Sequence, residues 1–100
     1  MAYVIKILST KPANVAWFVQ SGPMATSTLG NMRAFDLGST GYLDSGMAMV
    51  DKNTVHNLVV FDTQANGDAW LAAKATQADW MVHDAYFTAQ GITTVVTTYP

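Results

Sequence analysis

Two segments of this chain are apolar in a way that a one-sided strand is not. Tyr3–Leu8 reads YVIKIL and Asn57–Phe61 reads NLVVF, both rich in the β-branched and aromatic types that favour extended backbone. Successive side chains of a strand point to opposite faces. Tyr3, Ile5 and Ile7 therefore share one face while Val4, Lys6 and Leu8 share the other, and Val59 and Phe61 oppose Leu58 and Val60. An antiparallel sheet with one wet face alternates polar and apolar residues. These strands predict a sheet that is covered on both sides.

The remaining segments supply cover for only one of them. After the first strand, STKP halts the ladder, because proline has no N–H to donate. Residues 13–37 are helical in composition but interrupted: ANVAWFVQ is sufficient for two turns, SGP breaks it with Ser21 as a cap and Pro23 in a first helical turn, and MATSTLGNMRAFDL continues to Leu37. Met24, Thr28, Met32 and Phe35 recur there at helical spacing, as a core stripe does, and Gly30 weakens the helix. YLDSGMAMV (42–50) and TVHNLVVF (54–61) flank the turn-forming DKN and predict a hairpin, with Gly46 marking a bulge or a close backbone approach. Residues 62–91 form a second helical region, capped by Asp62 or Thr63 and closed by Gly91, with irregularity at NGD and KATQ. ITTVVTTY (92–99) is the last strand.

The order strand, helix, strand, strand, helix, strand is the split βαβ plan. It predicts a single α+β, ferredoxin-like βαββαβ domain over residues 1–100, with a four-stranded antiparallel sheet and two helical regions on one face. The other face is left to a partner, and a second copy packed sheet to sheet is the simplest cover. Charge agrees with this. Charged residues make up 12% of the chain, against roughly 25% in a typical globular protein, so part of the apolar surplus is expected at a subunit contact.

The same composition removes several function classes. The net charge is −2, and Lys6, Lys11, Arg33, Lys52 and Lys74 are scattered, so no basic stripe exists for nucleic acid. There is no cysteine, which excludes disulfides, thiolate catalysis and cysteine-bound zinc. The opening MAYVIKILST lacks a basic leader and is too short an apolar run for a signal peptide or a membrane span, so a cytoplasmic location is expected. No nucleotide-cradling glycine motif and no Gly-x-Ser-x-Gly elbow occurs.

Two histidines remain as candidate chemistry. Continuing one helical wheel over residues 71–90 puts Leu71, Ala75, Ala78, Val82, Ala85 and Ala89 in a stripe against the sheet. His83 then falls on the flank, paired at i, i+4 with Asp79, an interaction of about 0.2–0.5 kcal/mol; Trp80 and Phe87 form a second stripe directed at the first helix. His56 and Asn57 are strand neighbours, so only one of them faces the helices. Neither histidine has metal-ligand spacing, and no metal is expected. His83, Asn57 and His56 are the catalytic candidates, the two histidines for acid–base work and Asn57 as a polar pocket residue.

NLVVFDTQANGDAWLAA resembles the end of the third strand and the start of the second helix in the antibiotic biosynthesis monooxygenase family. STGYLDSGMAMVD is similar to that family's loop into the second strand. The resemblance implies the dimeric α+β barrel superfamily, whose members dimerise through their sheets. It also implies oxidation of a small aromatic substrate without metal, flavin or other cofactor, by pocket residues that stabilise a deprotonated substrate. Trp17, Tyr42, Asn57, Trp70, Trp80 and Tyr86 are of the types such a pocket uses. The chain departs from the family where members commonly carry tryptophan at the position of Phe61 and histidine at that of Trp70, and a Ser-Pro-His-like stretch has no counterpart. A non-enzymatic dimer that binds a small apolar ligand or serves as a structural partner is the competing expectation.

Overall fold

A computed structural model of the chain describes residues 2–17 and 26–100. Strands β1 (Tyr3–Thr10), β2 (Tyr42–Asp51), β3 (Thr54–Phe61) and β4 (Thr93–Tyr99) form one antiparallel sheet in the order β2-β3-β1-β4. Helices α1 (Thr26–Leu37), α2 (Gln64–Lys74) and α3 (Ala78–Gln90) complete the ferredoxin-like α+β arrangement predicted from the element order.

The second helical region is two helices rather than one. Thr63 caps α2, its hydroxyl accepting from the Asn66 N–H at 3.2 Å. The break falls at Ala75–Gln77, within the KATQ stretch, and Gln77 caps α3 by accepting the Trp80 N–H at 2.8 Å. Gly91 ends α3 with φ 74°, the left-handed turn that glycine adopts without steric cost. The NGD stretch, expected to be irregular, lies inside α2. Gly67 is there for room: a Cβ on it would sit 2.5 Å from Tyr3 Cδ2 and 2.9 Å from Tyr3 Cε2.

Three other expectations are corrected. Residues 13–17 form turns rather than helix, and the rest of the ANVAWFVQ segment, the SGP break and Met24 lie outside the described residues. Gly46 is neither a bulge nor a close approach: it pairs in register with Leu58, nothing lies within 4 Å of where its Cβ would be, and the register shifts fall at Tyr42/Asp44 and Met49/Asp51. The phase of the alanine stripe is also wrong. Ala78, Val82, Ala85 and Ala89 face solvent, while Trp80 and Phe87 are buried.

The core lies where β1 and β3 meet the helices. Tyr3, Ile5, Ile7, Val59 and Phe61 point inward against Met32, Trp70 and Trp80, with Leu29, Phe35, Tyr42 and Leu71 packed around them. Phe87 and Ile92 form a smaller cluster with Val15, Trp17, Leu29 and Tyr86. On the opposite face Val4, Lys6, Leu8, His56 and Val60 are half-buried, while Leu58 and Val95 are exposed. No described helix is long and apolar enough to cross a membrane.

Candidate functional site

Along β1 and β3 the inner face changes character. Tyr3 opposite Phe61 and Ile5 opposite Val59 lie in the core, and α2 lies against the same two strands. Farther along, Ile7 opposite Asn57 and Ser9 opposite Val55 line a cleft of about 610 Å³ between the sheet, α1 and α3. That volume is in the range of small-molecule sites. Met47 and Met49 of β2 stand on its flank, well exposed. A second, shallower cleft of about 440 Å³ lies between α1 and α2, bordered by Phe35, Asn66 and Trp70; it brings no histidine or charged group together.

The main cleft gathers four of the residues singled out from the sequence: Trp17, Asn57, Trp80 and His83. It does not gather the others. Tyr42 packs edge-on against Phe61 and hydrogen-bonds Ser45. Trp70 is a core residue at 2% exposure. Tyr86 turns away and donates its hydroxyl to the Ala16 carbonyl at 2.9 Å. His56 is on the opposite face of the sheet, paired with Leu8 and Ala48; strand alternation sends it outward because Asn57 points inward.

His83 sits deeper than a helix flank. Its side chain is 14% exposed and lies between Trp80 and Phe87, with ring centroids 5.3 and 4.0 Å away. Its polar partner is Asp84 rather than Asp79: Nδ1 is 3.1 Å from Asp84 Oδ1. Asp79 instead accepts from Gln77 Nε2 at 2.9 Å and Asn31 Nδ2 at 3.3 Å. Trp17 stands across from α3, 6.1 Å from the Phe87 ring, with its indole N–H on the Lys52 carbonyl at 3.3 Å.

A charged cluster that the sequence did not announce completes the wall. Asp36 of α1 accepts two indole hydrogen bonds on one oxygen, from Trp70 Nε1 at 2.8 Å and Trp80 Nε1 at 3.1 Å. Lys74 places its ammonium 4.3 Å from the centre of the Trp80 ring, within cation–π range. Burial lifts the Asp36 carboxyl above the usual aspartate range; the two indole donors and the charges of Lys74 and Arg33 pull it back without cancelling the rise. A signal was available: a buried tryptophan brings an N–H that needs an acceptor. Two of the three tryptophans claim Asp36, across 34 and 44 residues of chain. Among the described residues no group of three or more His, Asp or Glu side chains converges as a metal site requires.

These features define a small ferredoxin-like α+β protein with a one-sided aromatic cleft. No protein-family profile matches the chain, and no curated protein does. Solved structures do. The chain superimposes on SnoaB, a cofactor-independent oxygenase from Streptomyces nogalater, with TM-score 0.64 and 15% identity over 99% of this chain and 91% of that one. A candidate antibiotic biosynthesis monooxygenase from Chloroflexus aurantiacus gives 0.58 and 12% over 99% and 91%. A candidate monooxygenase from Shewanella loihica gives 0.56 and 13% over 100% and 95%. The fold is thus the one found in antibiotic biosynthesis monooxygenase-like proteins.

Proposed function

We propose that the chain is a cytoplasmic, single-domain, homodimeric oxygenase that uses no cofactor and acts on a small phenolic or quinol-type aromatic substrate in the main cleft. The observation that carries this reading is the meeting of Trp17, Asn57, Trp80 and His83 around one open cleft of ring-system size. The fold shared with SnoaB, itself a cofactor-independent oxygenase, agrees with it. Such chemistry asks little of the protein beyond a base, an anion stabiliser and a dry pocket. A phenol or its keto tautomer loses a proton, a ring carbon of the electron-rich anion bonds to dioxygen and is protonated to a hydroperoxide, and cleavage of the O–O bond with loss of the remaining C–H proton gives the quinone carbonyl and water.

His83 is the base in this scheme. Asp84 beside Nδ1 favours the tautomer with its proton there and leaves Nε2 to accept. No described residue hydrogen-bonds the Asn57 amide, which therefore serves as the donor to the substrate oxyanion. The half-buried Trp17 supplies a ring face for stacking, and the buried Trp80 and Phe87 behind His83 exclude water. A second copy covers the outer sheet face, where Leu58 and Val95 are exposed.

The test is aerobic oxidation of anthrone, followed by quinone absorbance and oxygen uptake. One dioxygen consumed per anthraquinone and one water formed is the expected balance, with His83→Gln and Asn57→Ala each slowing turnover about a hundredfold. Binding of the aromatic with no oxidation above the buffer rate would make the chain a non-enzymatic binder. Sedimentation at micromolar concentration should show twice the 10.8 kDa chain mass.

A further inference from the structure

Asp36 holds one oxygen in reserve. Its Oδ1 is fixed by the two indole N–H groups, and Oδ2 has no hydrogen-bond partner among the described residues. Neither Lys74 nor Arg33 forms an ion pair with it within the described residues. With Oδ1 held from two sides, the direction of Oδ2 is held too. Asp36, Arg33, Lys74 and Trp80 all line the same cleft, and no charged side chain lines it from the strands. The surroundings narrow what Oδ2 can take. A cationic ligand meets Lys74 and Arg33, and an anionic one meets the carboxylate itself. A neutral O–H donor on a flat ring meets neither objection, and the apolar side chains of Ile7, Met32 and Met47 that line the same cleft give that ring a surface.

We propose that Asp36 is a specificity-determining residue of the cleft, its Oδ2 accepting a hydrogen bond from a hydroxyl on the bound ring. The cleft then selects hydroxylated aromatics over unsubstituted hydrocarbons of the same shape. This rests on the reading of the cleft as an aromatic site and is independent of whether oxygenation follows. Asp36 acts in recognition of a ring hydroxyl that keeps its proton; the proton that leaves in turnover comes from another position of the substrate and goes to His83.

The experiment is equilibrium binding of naphthol, its methyl ether and naphthalene near neutral pH, read by tryptophan fluorescence. The native protein should bind naphthol about tenfold more tightly than naphthalene, as one hydrogen bond to a charged acceptor gives. The methyl ether, which cannot donate, should bind like naphthalene. Asp36→Asn keeps an oxygen for the two indoles and puts an amide donor in place of Oδ2. It should erase the preference for naphthol over its methyl ether, because the amide donates to either oxygen alike, and leave naphthalene affinity within about twofold.

A pH series on the native protein tests the same point without a variant. The preference should fade as acid protonates Asp36, beginning above the usual aspartate range. Arg33 of its own helix and Lys74 of α2 act on the Asp36 charge, and His83 and Asp84 of α3 are the other titratable groups lining the cleft. Repeating the series in His83→Gln removes the histidine, and the fade should persist. Naphthol and naphthalene weakened equally by Asp36→Asn, or bound equally by the native protein, would overturn the proposal and reduce Asp36 to a clamp for the two tryptophans. Binding of all three probes without preference overturns this inference alone; binding of none overturns the aromatic-site reading with it.

Discussion

The two ends of the β1–β3 pair are built from the same strands and do different work. At one end Tyr3, Ile5, Val59 and Phe61 meet Trp70 and the bare backbone of Gly67, and Phe61 is fully buried. At the other end Ile7, Ser9, Val55 and Asn57 look into a cleft flanked by Met47 and Met49, which are 64% and 57% exposed. The difference arises from what packs above. A glycine lets α2 settle onto a tyrosine ring, whereas α1 and α3 hold tryptophan, aspartate and histidine over the second half. Stability is therefore expected to concentrate at the first end and ligand chemistry at the second.

Substitutions along this axis can break or sharpen that contrast, at one fixed protein concentration. The largest effect belongs to Phe61→Ala. Deleting a fully buried ring leaves a cavity, and about 3–5 kcal/mol should be lost in denaturant unfolding. Gly67→Ala should come next. Helix propensity alone favours alanine by up to about 1 kcal/mol, but the new methyl meets a Tyr3 ring anchored through its hydroxyl to Asp68 Oδ1 at 3.0 Å. The ring cannot easily yield, and a net loss of roughly 1–2 kcal/mol is expected. A stabilised Gly67→Ala would show the sealed end to be loose.

At the cleft end the effects shrink. His83→Gln removes an imidazole packed between Trp80 and Phe87 and should cost about 1 kcal/mol, with a larger effect on turnover than on melting. Smaller again is the pH dependence contributed by Asp36. Its folded carboxyl titrates above its unfolded one, so the folded state holds the proton more tightly. That contribution favours the native state as pH falls into the window above the ordinary aspartate value, and the advantage is lost as pH rises through the folded titration. Melting curves of native protein and Asp36→Asn compared across mildly acidic pH should show the native protein gaining on the variant toward acid. The least effect is expected from Val82→Asp, one residue before His83 but on the exposed face of α3, within about 0.5 kcal/mol in the same unfolding assay.

That last pair also shows what the sequence could and could not disclose. Strand alternation, the DKN turn, the Thr63 cap and the Gly91 stop are local signals, and the element order followed from them. The phase of α3 is not local. A wheel continued from Leu71 favours an alanine stripe, but the chain is interrupted at Ala75–Gln77 and starts a new helix. The new helix turns its bulk inward. An aromatic side chain buries about 150–250 Å², worth roughly 4–6 kcal/mol at ~25 cal/mol per Å², against about 0.8 kcal/mol for one methyl group. Trp80 and Phe87 therefore outweigh Ala78, Ala85 and Ala89. The cleft was legible in part, since alternation required that His56 or Asn57 face the helices, though not which. Asp36 was hidden because its partners are fixed only by tertiary packing.

The position of β4 carries a practical consequence. It is an edge strand, its seven residues are all exposed, and TTVVTTY contains neither a charge nor a proline. Natural edges are usually blunted by lysine, proline or a bulge, because an unpaired row of N–H and C=O groups recruits further strands. This edge has none of these. A preparation held as separated chains would therefore be prone to edge-to-edge growth toward fibrils, and a Thr→Lys change on β4 is the modification to try first if the protein proves hard to keep in solution.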